Sequence, residues 1–557
     1  MPPGTPSAAD VSGEPAGCQA AAPPAAVAPG PAASRPGRAA RFAALARREA
    51  RRTTAAVAGG VVLVFAFPPY DLWPLSLVSV ALLSLLTRGR TARQGAWTGF
   101  AFALPFFCAL LRWLNVVGYD AVFGLSVVEA LYVAAMGAGL AVTSRLRWWP
   151  LWTAGLWVAQ ELVRDRWPLG GFPWGRLAFA NTGSPFTPLA ALGGAALVSF
   201  AVALSGALLA CAVLGAVRAG LRRGVRPLLP PAGALGLAAV LVLAGYAVPV
   251  PVKGDDSVNI AVVQGNVQKP GMDFLGRPMM ILNNHVNATL ALAKDVKAGR
   301  APRPDLVIWP ENASDLDPFK FPEAYDRINE AVRAIGVPVL VGALIDHPSK
   351  PGYVFNEGIV WDPRSGPGAS YTKQHPVPFG EYVPFREELS KVISRLKRVP
   401  RNFYPGDHNG VMKVGPAELG DVICFEVAYD GIVRDTVNAG ARALVVQTNN
   451  ATFGRSGQPE QQLAMSRLRA VEHGRAVVTA ATSGISAVVG PDGQVREQAP
   501  LFTRQVISTS IPLRDGTTVA DRLGEAPEWA LAMVGLLSCA AAVWVGRRGR
   551  TEKKGLK

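Results

Sequence analysis

The sequence predicts a two-part fold: a multi-span α-helical membrane domain of about eight transmembrane helices, and one large α/β layered domain between the seventh and the eighth. Three observations predict it. Half of the 557 residues are hydrophobic and only 17% are charged, against about 25% charged in a typical soluble domain. The apolar residues gather in runs of the length that a bilayer core ~30 Å thick requires of a helix. One stretch, 251–525, departs from that texture and carries 30 Lys and Arg against 30 Asp and Glu. So high an apolar content excludes a disordered polar chain, and five cysteines are too few for a disulfide scaffold.

Taken in order, residues 1–34 are rich in Ala, Pro and Gly and lack the apolar core of a signal peptide. They read as a disordered tail, which with the Arg-rich segment Arg35, Arg38, Arg41, Arg47, Arg48, Arg51 and Arg52 makes a leading segment 1–53. Spans are expected near 54–69, 72–87, 95–115, 119–142, 148–164, 187–216 and 229–250, which gives a seven-helix membrane domain over 54–250. The first two are short and separated by the turn Pro68-Pro69-Tyr70-Asp71, so one broken hairpin is the alternative there. An eighth span is expected over 526–546, followed by a basic tail, 547–557.

The formal charge of +16 lies entirely outside 251–525. A nucleic-acid binder carries its basic patch on a folded domain; here the basic residues punctuate apolar runs, which argues against a nucleic-acid partner. With eight spans, 22 Lys and Arg fall on one side, including Arg88, Arg90, Arg93, Arg145, Arg147, Arg218, Arg222, Arg223 and Arg226. The other side's short loops hold only Arg112, Arg164, Arg166 and Arg176. The positive-inside rule then makes both termini cytoplasmic and sets 251–525 on the outer face of a multi-pass plasma-membrane protein.

Within 251–525, short β-rich runs (Val258–Gln264, Asp305–Trp309, Val337–Val341, Asp421–Cys424, Ala443–Gln447, Ala476–Ala480) alternate with helical stretches such as Pro322–Ile335 and Gln458–His473. That alternation predicts an α/β layered domain. Its one cysteine is Cys424; Cys18, Cys108, Cys211 and Cys539 lie elsewhere. Gly420–Glu426 reads as a strand ending in Cys and running into a helical stretch, where helix N–H groups stabilise a thiolate.

The five histidines (His285, His347, His375, His408, His473) show no HxH or HExxH spacing, which argues against a metal site. Spacing leaves open a Cys–His dyad with His375 or His473. There is no GxSxG elbow, no GxxxxGK[ST] loop and no strand-flanked GxGxxG. Trp309-Pro310-Glu311 places a carboxylate just past a buried strand, and the Pro-stiffened run Tyr371–Pro384 holds Lys373 and Glu381. Glu, Lys and Cys at strand ends suit acyl transfer through a thioester. Cys424 attacks the carbonyl, Glu311 takes its proton, and Lys373 lowers the thiol pKa and stabilises the oxyanion.

These residues resemble the Glu–Lys–Cys set of the nitrilase superfamily. The run Pro378-Phe379-Gly380-Glu381-Tyr382-Val383-Pro384, Ile423-Cys424-Phe425-Glu426, and the membrane segment Glu161-Leu162-Val163-Arg164 followed by Gly171-Phe172-Pro173-Trp174 carry the resemblance further. Over about residues 54–546 the chain resembles the membrane-embedded apolipoprotein N-acyltransferase family. The resemblance implies an extracytoplasmic nitrilase-like αββα sandwich above the membrane helices, and no cofactor. It implies a ping-pong reaction in which a phospholipid acylates Cys424 and the acyl chain passes to the α-amino group of a diacylglyceryl-modified apolipoprotein. By motif, Glu311 is the base, Lys373 the oxyanion stabiliser, Cys424 the nucleophile and Glu381 a further active-site acid, with Phe425 and Glu426 shaping the site. The sequence departs from the family pattern at Phe425, where Tyr is usual, at Met272-Asp273-Phe274 and Thr452, where Trp is usual, and at Pro376, where Leu is usual.

Other readings remain: a membrane-anchored amidase or hydrolase with water as acceptor, or a non-catalytic membrane scaffold. A polyprenol-phosphate mannosyltransferase is a candidate partner. Glu161 and Arg164, three apart, are placed to pair on one helix face. Lys391–Tyr404 mixes Lys391, Arg395, Lys397, Arg398 and Arg401 with Phe403 and Tyr404, which suits either a headgroup-contacting lid or a solvated helix and loop.

Overall fold

A computed structural model of the chain describes residues 38–220, 229–267, 279–392, 396 and 399–555. The 1–34 tail, Arg35, the loop positions Arg222, Arg223 and Arg226, Met272-Asp273-Phe274, and Arg395, Lys397 and Arg398 lie outside them.

Eight helices stand where the sequence places eight spans: α1 (Arg38–Val64), α2 (Pro74–Thr87), α3 (Ala92–Leu110), α4 (Tyr119–Thr143), α5 (Trp149–Arg164), α6 (Ala190–Gly220), α7 (Leu229–Ala244) and, after the α/β domain, the last helix (Ala526–Gly555). Four segments, Tyr119–Thr143, Thr187–Gly220, Leu229–Ala247 and Ala526–Arg548, are long and apolar enough to cross a membrane; Pro74–Thr87 is apolar but shorter. α1 begins well before the expected residue 54 because the Arg-rich stretch is itself a good helix former. Proline at the first turn starts α2 and α5, where its missing N–H costs nothing. A Thr91–Gln94 capping box starts α3. Glycines let backbones touch. A Cβ at Gly95 of α3 would lie 2.3 Å from the Gly137 carbonyl of α4, the small-residue contact by which membrane helices pack.

The α/β domain follows as β1 (Asp256–Gln264), α8 (Met280–Lys297), β2 (Leu306–Ile308), α9 (Pro322–Ile335), β3 (Val339–Asp346), β4 (Tyr353–Asp362), β5 (Gly366–Thr372), α10 (Arg386–Val392), β6 (Asn402–Phe403), β7 (Val411–Val414), β8 (Ala417–Ile423), α11 (Asp430–Asn438), β9 (Ala443–Thr448), α12 (Gln458–His473), β10 (Val477–Ala481), β11 (Ala487–Val489), β12 (Val495–Gln498), β13 (Gln505–Leu513) and α13 (Val519–Leu523), after which the last helix is α14. The strands form two sheets, ordered β13-β1-β2-β3-β4-β5 with β6 beside β4, and β12-β11-β10-β9-β8-β7. β1, β2 and β3 are parallel, as are β8, β9 and β10.

Strand period two explains the layering. On β1, Val258, Ile260 and Val262 face the other sheet, while Ala261 and Val263 face α8 and α9. On β9, Ala443 and Val445 meet the first sheet, while Leu444 and Val446 join a cluster with Leu468 and Val471 of α12. Both faces of the parallel strands are therefore buried, which is why they read as unbroken apolar runs. The order is an αββα sandwich. The outer cluster under α12 is continuous with the N-terminal helices: it also holds Phe102 and Phe106 of α3, Trp157 of α5, Val198 of α6, and Phe179 of the α5–α6 loop.

Part of Lys391–Tyr404 is anchored to the domain. β6 pairs with β4, Arg401 reaches Asp346 at 2.6 Å, and Lys350 donates to the Tyr404 hydroxyl at 2.9 Å.

Candidate active site

Glu311, Lys373 and Cys424 come together at the ends of β2, β5 and β8, where open α/β sheets place their ligands. Glu311 is buried and its carboxylate is fully engaged. Oε1 accepts from Asn356 Nδ2 at 2.7 Å and from Lys373 Nζ at 3.4 Å, and Oε2 accepts from the Asn449 N–H at 2.8 Å. Those three donors aim the carboxylate, because a buried charge persists only when paired and hydrogen-bonded.

Lys373 is 1% exposed and lies between two carboxylates: its Nζ also donates to Glu381 Oε1 at 2.6 Å. Burial works against its charge, but Glu381 and Glu311 hold the ammonium well above the usual lysine range. Glu381 Oε2 accepts from the Val377 N–H at 2.7 Å. Burial raises the Glu381 carboxyl, and Lys373 works against that rise.

Cys424 sits at the end of β8 with φ +55°, a left-handed conformation that a non-glycine residue adopts at a cost of about 1–3 kcal/mol and that marks functional turns. Its sulfur accepts from Thr448 Oγ1 at 3.3 Å, and its carbonyl accepts from Gln462 Nε2 at 2.9 Å. Burial, then the Glu311 carboxylate, push the thiol up to about 12, while Lys373 lowers it. One expectation is corrected here. The residues after Cys424 form a short 3-10 turn, Cys424–Ala428, before α11 begins at Asp430, so no long helix N-terminus faces the sulfur. Lys373 lowers the thiol, as expected, while burial outweighs it.

Glu426 points behind the site. Its Oε1 accepts from the N–H groups of Gln374 at 2.7 Å and His375 at 3.0 Å, and its Oε2 accepts from the Tyr371 hydroxyl at 2.9 Å and the Ile423 N–H at 2.8 Å. It ties the Lys373 loop to the nucleophile strand. Phe425 faces the membrane-domain loop, stacked on Trp174 (5.3 Å, 10°) and Phe172 (5.6 Å, 28°). Trp174 in turn donates to Gln461 Oε1 at 2.7 Å.

Neither histidine left open as a dyad partner hydrogen-bonds Cys424 among the described residues. His375 packs on Tyr429 (4.1 Å between rings), and burial, then Lys373, lower it to about 4. His473 is held by Asp521 at 2.6 Å. Glu161 and Arg164 are not an ion pair. Arg164 reaches across to Glu129 on α4 at 3.1 Å, whereas Glu161 accepts from Trp157 Nε1 and the Leu177 N–H. Spacing along one helix permits a pair, but the neighbouring helix supplies a better partner. Among the described residues no group of three or more His, Cys, Asp or Glu is arranged to hold a metal. Asn356, Thr448, Asn449 and Gln462 escaped sequence reasoning, since amides and hydroxyls at strand ends carry no periodic signal.

Comparison with known proteins agrees in both parts of the chain. Residues 59–208 match the model of the apolipoprotein N-acyltransferase N-terminal domain, and residues 259–521 match that of carbon-nitrogen hydrolases. A curated apolipoprotein N-acyltransferase of Mycolicibacterium smegmatis is 38% identical over 87% of this chain and 84% of its own. Proteins of the same description from Azotobacter vinelandii (31%, 83% and 90%) and Pseudomonas putida (29%, 89% and 97%) are also similar. Among solved structures, an amidase from Nesterenkonia sp. AN1 aligns at 20% identity and a TM-score of 0.34, over 46% of this chain and 93% of its own.

Proposed function

We infer that this chain, which belongs to the apolipoprotein N-acyltransferase family, is an acyltransferase of lipoprotein maturation, moving a fatty acyl chain from a membrane phospholipid to the α-amino group of a diacylglyceryl-cysteine. The observation that carries the chemistry is the single point at which Lys373 Nζ meets Glu311 and Glu381 beside the strained Cys424.

The steps follow from that geometry. Glu311 takes the thiol proton as Cys424 Sγ attacks the ester carbonyl carbon. The oxygen becomes an oxyanion beside the Lys373 ammonium, where a fixed charge in a dry site stabilises it most. The carbon–oxygen bond to glycerol breaks, and the leaving oxygen takes the proton back from Glu311 as lysophospholipid departs. The acceptor's neutral amine then attacks the thioester, Glu311 takes its surplus proton, and the thiolate leaves and is reprotonated. A free cysteine is only a few per cent thiolate at neutral pH, and burial pushes this thiol further up, so in this reading a base must take its proton and Glu311 fills that role.

Glu381 keeps Lys373 oriented and charged in this reading, Glu426 braces the loop that carries it, and Phe425 forms the wall toward the membrane domain. The eight helices are eight spans. Both termini are cytoplasmic and 251–525 lies on the outer face of the plasma membrane, as the 22 basic residues on one side support. The segment boundaries 1–53, 54–250, 251–525, 526–546 and 547–557 go with that topology. A mannosyltransferase partner has no support among the described residues and is not part of the reading.

The test is mass analysis of purified protein incubated with phospholipid, beside Cys424→Ser. A hydroxylamine-sensitive acyl adduct on the Cys424 peptide, discharged onto the amine of a diacylglyceryl-Cys peptide, is the expected result. Discharge to water alone would make the protein a hydrolase. Absence of any adduct would leave the scaffold.

A further inference from the structure

The membrane-domain loop that runs from the end of α5 to α6 reaches the turn that follows Cys424. At one end Phe172 and Trp174 stack on Phe425, and the Gly171 carbonyl accepts from the Tyr429 hydroxyl at 3.0 Å. At the other end the buried Arg176 Nη1 donates to both Asp430 oxygens at 2.8 Å. Asp430 is the first residue of α11. Burial alone would raise its carboxyl, but Arg176 and Arg469 hold it well below the usual range.

Arg469 of α12 completes the grip. It is fully buried, donates to Asp430 Oδ1 at 2.6 Å, and is braced by its Nη1 on Glu472 of the same helix, while Nε donates to the Val427 carbonyl and Nη2 to the Ala428 carbonyl, both at 2.8 Å. Seven residues earlier, on the same face of α12, Gln462 holds the Cys424 carbonyl. An ion pair that only docked two domains would not spend guanidinium donors on carbonyls three and four residues past the nucleophile. A left-handed cysteine persists only where its surroundings over-determine the backbone. Here one flank is set by β8 and the other by these two arginines.

We propose that Arg176 and Arg469 are positioning residues for Cys424: with Asp430 they clamp the 424–430 turn between the membrane-domain loop and α12, and so aim the sulfur at the acyl carbonyl. The inference rests on the reading of Cys424 as an acyl-accepting nucleophile. It adds that the membrane domain is part of the nucleophile's mounting as well as its anchor.

The experiment is the pre-steady-state burst of p-nitrophenolate when full-length protein in detergent is mixed with p-nitrophenyl palmitate, an activated ester expected to acylate Cys424 without any phospholipid. Burst amplitude reports the fraction of folded sites, and the burst rate constant reports how the sulfur is aimed. Arg176→Gln and Arg469→Gln should each lower the rate constant about 10–100-fold, the scale of an ångström-sized misplacement. KM and amplitude per folded protein should stay unchanged, and Arg176→Lys should recover most of the loss. Asp430→Asn, which keeps the side chain's shape, gives the same test if a glutamine variant does not fold. Unchanged rate constants with only a lower amplitude or Tm would overturn the proposal and leave plain domain docking. A wild-type burst with the ester but no adduct from phospholipid would sink the lipid reading and leave this one standing; no wild-type burst at all would overturn both.

Discussion

The two halves of the sandwich are built differently. The sheet that supplies Glu311 and Lys373 is covered by α8 and α9, and its outer cluster is made wholly of residues between Ala261 and Trp361, with a few partly buried neighbours. The sheet that supplies Cys424 is covered by α11 and α12, whose cluster runs on without a break into the N-terminal helices, from Ala56 to Val489. Base and ammonium thus stand on a half complete in itself, and the nucleophile stands on a half that shares its core with the membrane domain. The chemistry is divided between a self-contained and a borrowed foundation.

The largest expected effect tests whether the two halves act as one site. Glu311→Gln should lower acyl transfer by about 10²–10⁴, the range for a lost general base, read as the rate of thioester formation by mass. The same change should make the thiol more acidic, because the Glu311 charge is second only to burial in holding Cys424 near 12. At a fixed mildly alkaline pH, iodoacetamide alkylation of Cys424 should therefore be faster than in the wild type while transfer is lost. Alkylation that is unchanged or slower would show that the two groups do not sense each other.

A matched pair sharpens the contrast. Leu468→Ala on α12 and Ile328→Ala on α9 remove fully buried side chains from the two outer clusters, and each should cost about 2–5 kcal/mol in thermal or denaturant unfolding. Only Leu468→Ala should also slow thioester formation in the folded protein. Equal slowing would erase the distinction between the halves. Gly358→Ala comes next. Its Cβ would lie 2.0 Å from Asp421 Oδ2 and 2.7 Å from Gln447 Oε1, between the sheets, and overpacking of that kind costs about 1–3 kcal/mol. The smallest effect is expected at the self-contained surface. Lys320→Ala breaks an ion pair with Asp346 whose lysine is 62% exposed, and it should shift stability by less than about 1 kcal/mol with no change in transfer.

The bounds of helices α9 and α12 were legible to the residue, because proline at the start and glycine at the end mark them; α9 is amphipathic as expected, whereas α12 is buried on nearly every side. β1, β2, β9 and β10 were legible within two residues as unbroken apolar runs, whereas β3 runs on to Asp346 and β8 begins at Ala417, where polar or small residues hide the strand. β5 (GPGASYT) and β12 (VREQ) were not: edge strands carry few apolar residues, so the sequence offers no period to read. Glu311, Lys373 and Cys424 stood out as charged groups and a lone cysteine beside apolar strands, and the structure brings them together, whereas Glu381 drew its role only from the family resemblance. Arg176, Asp430 and Arg469 were not, since their meeting depends on how a membrane-domain loop folds onto a turn 254 residues away.

The pairing of β13 with β1 along Asp256↔Leu513 has a consequence for biosynthesis. β1 is made first, yet the partner on its outer edge leaves the ribosome only after every other strand. Until then one edge of the parallel sheet has free N–H and C=O groups, the situation that invites wrong pairing. Closure follows emergence of Leu513, and the last helix begins at Ala526. The order of events during translation is therefore written into the strand order. A truncation that removes β13 should leave an open, aggregation-prone intermediate, whereas one that removes only α14 leaves every strand of both sheets present.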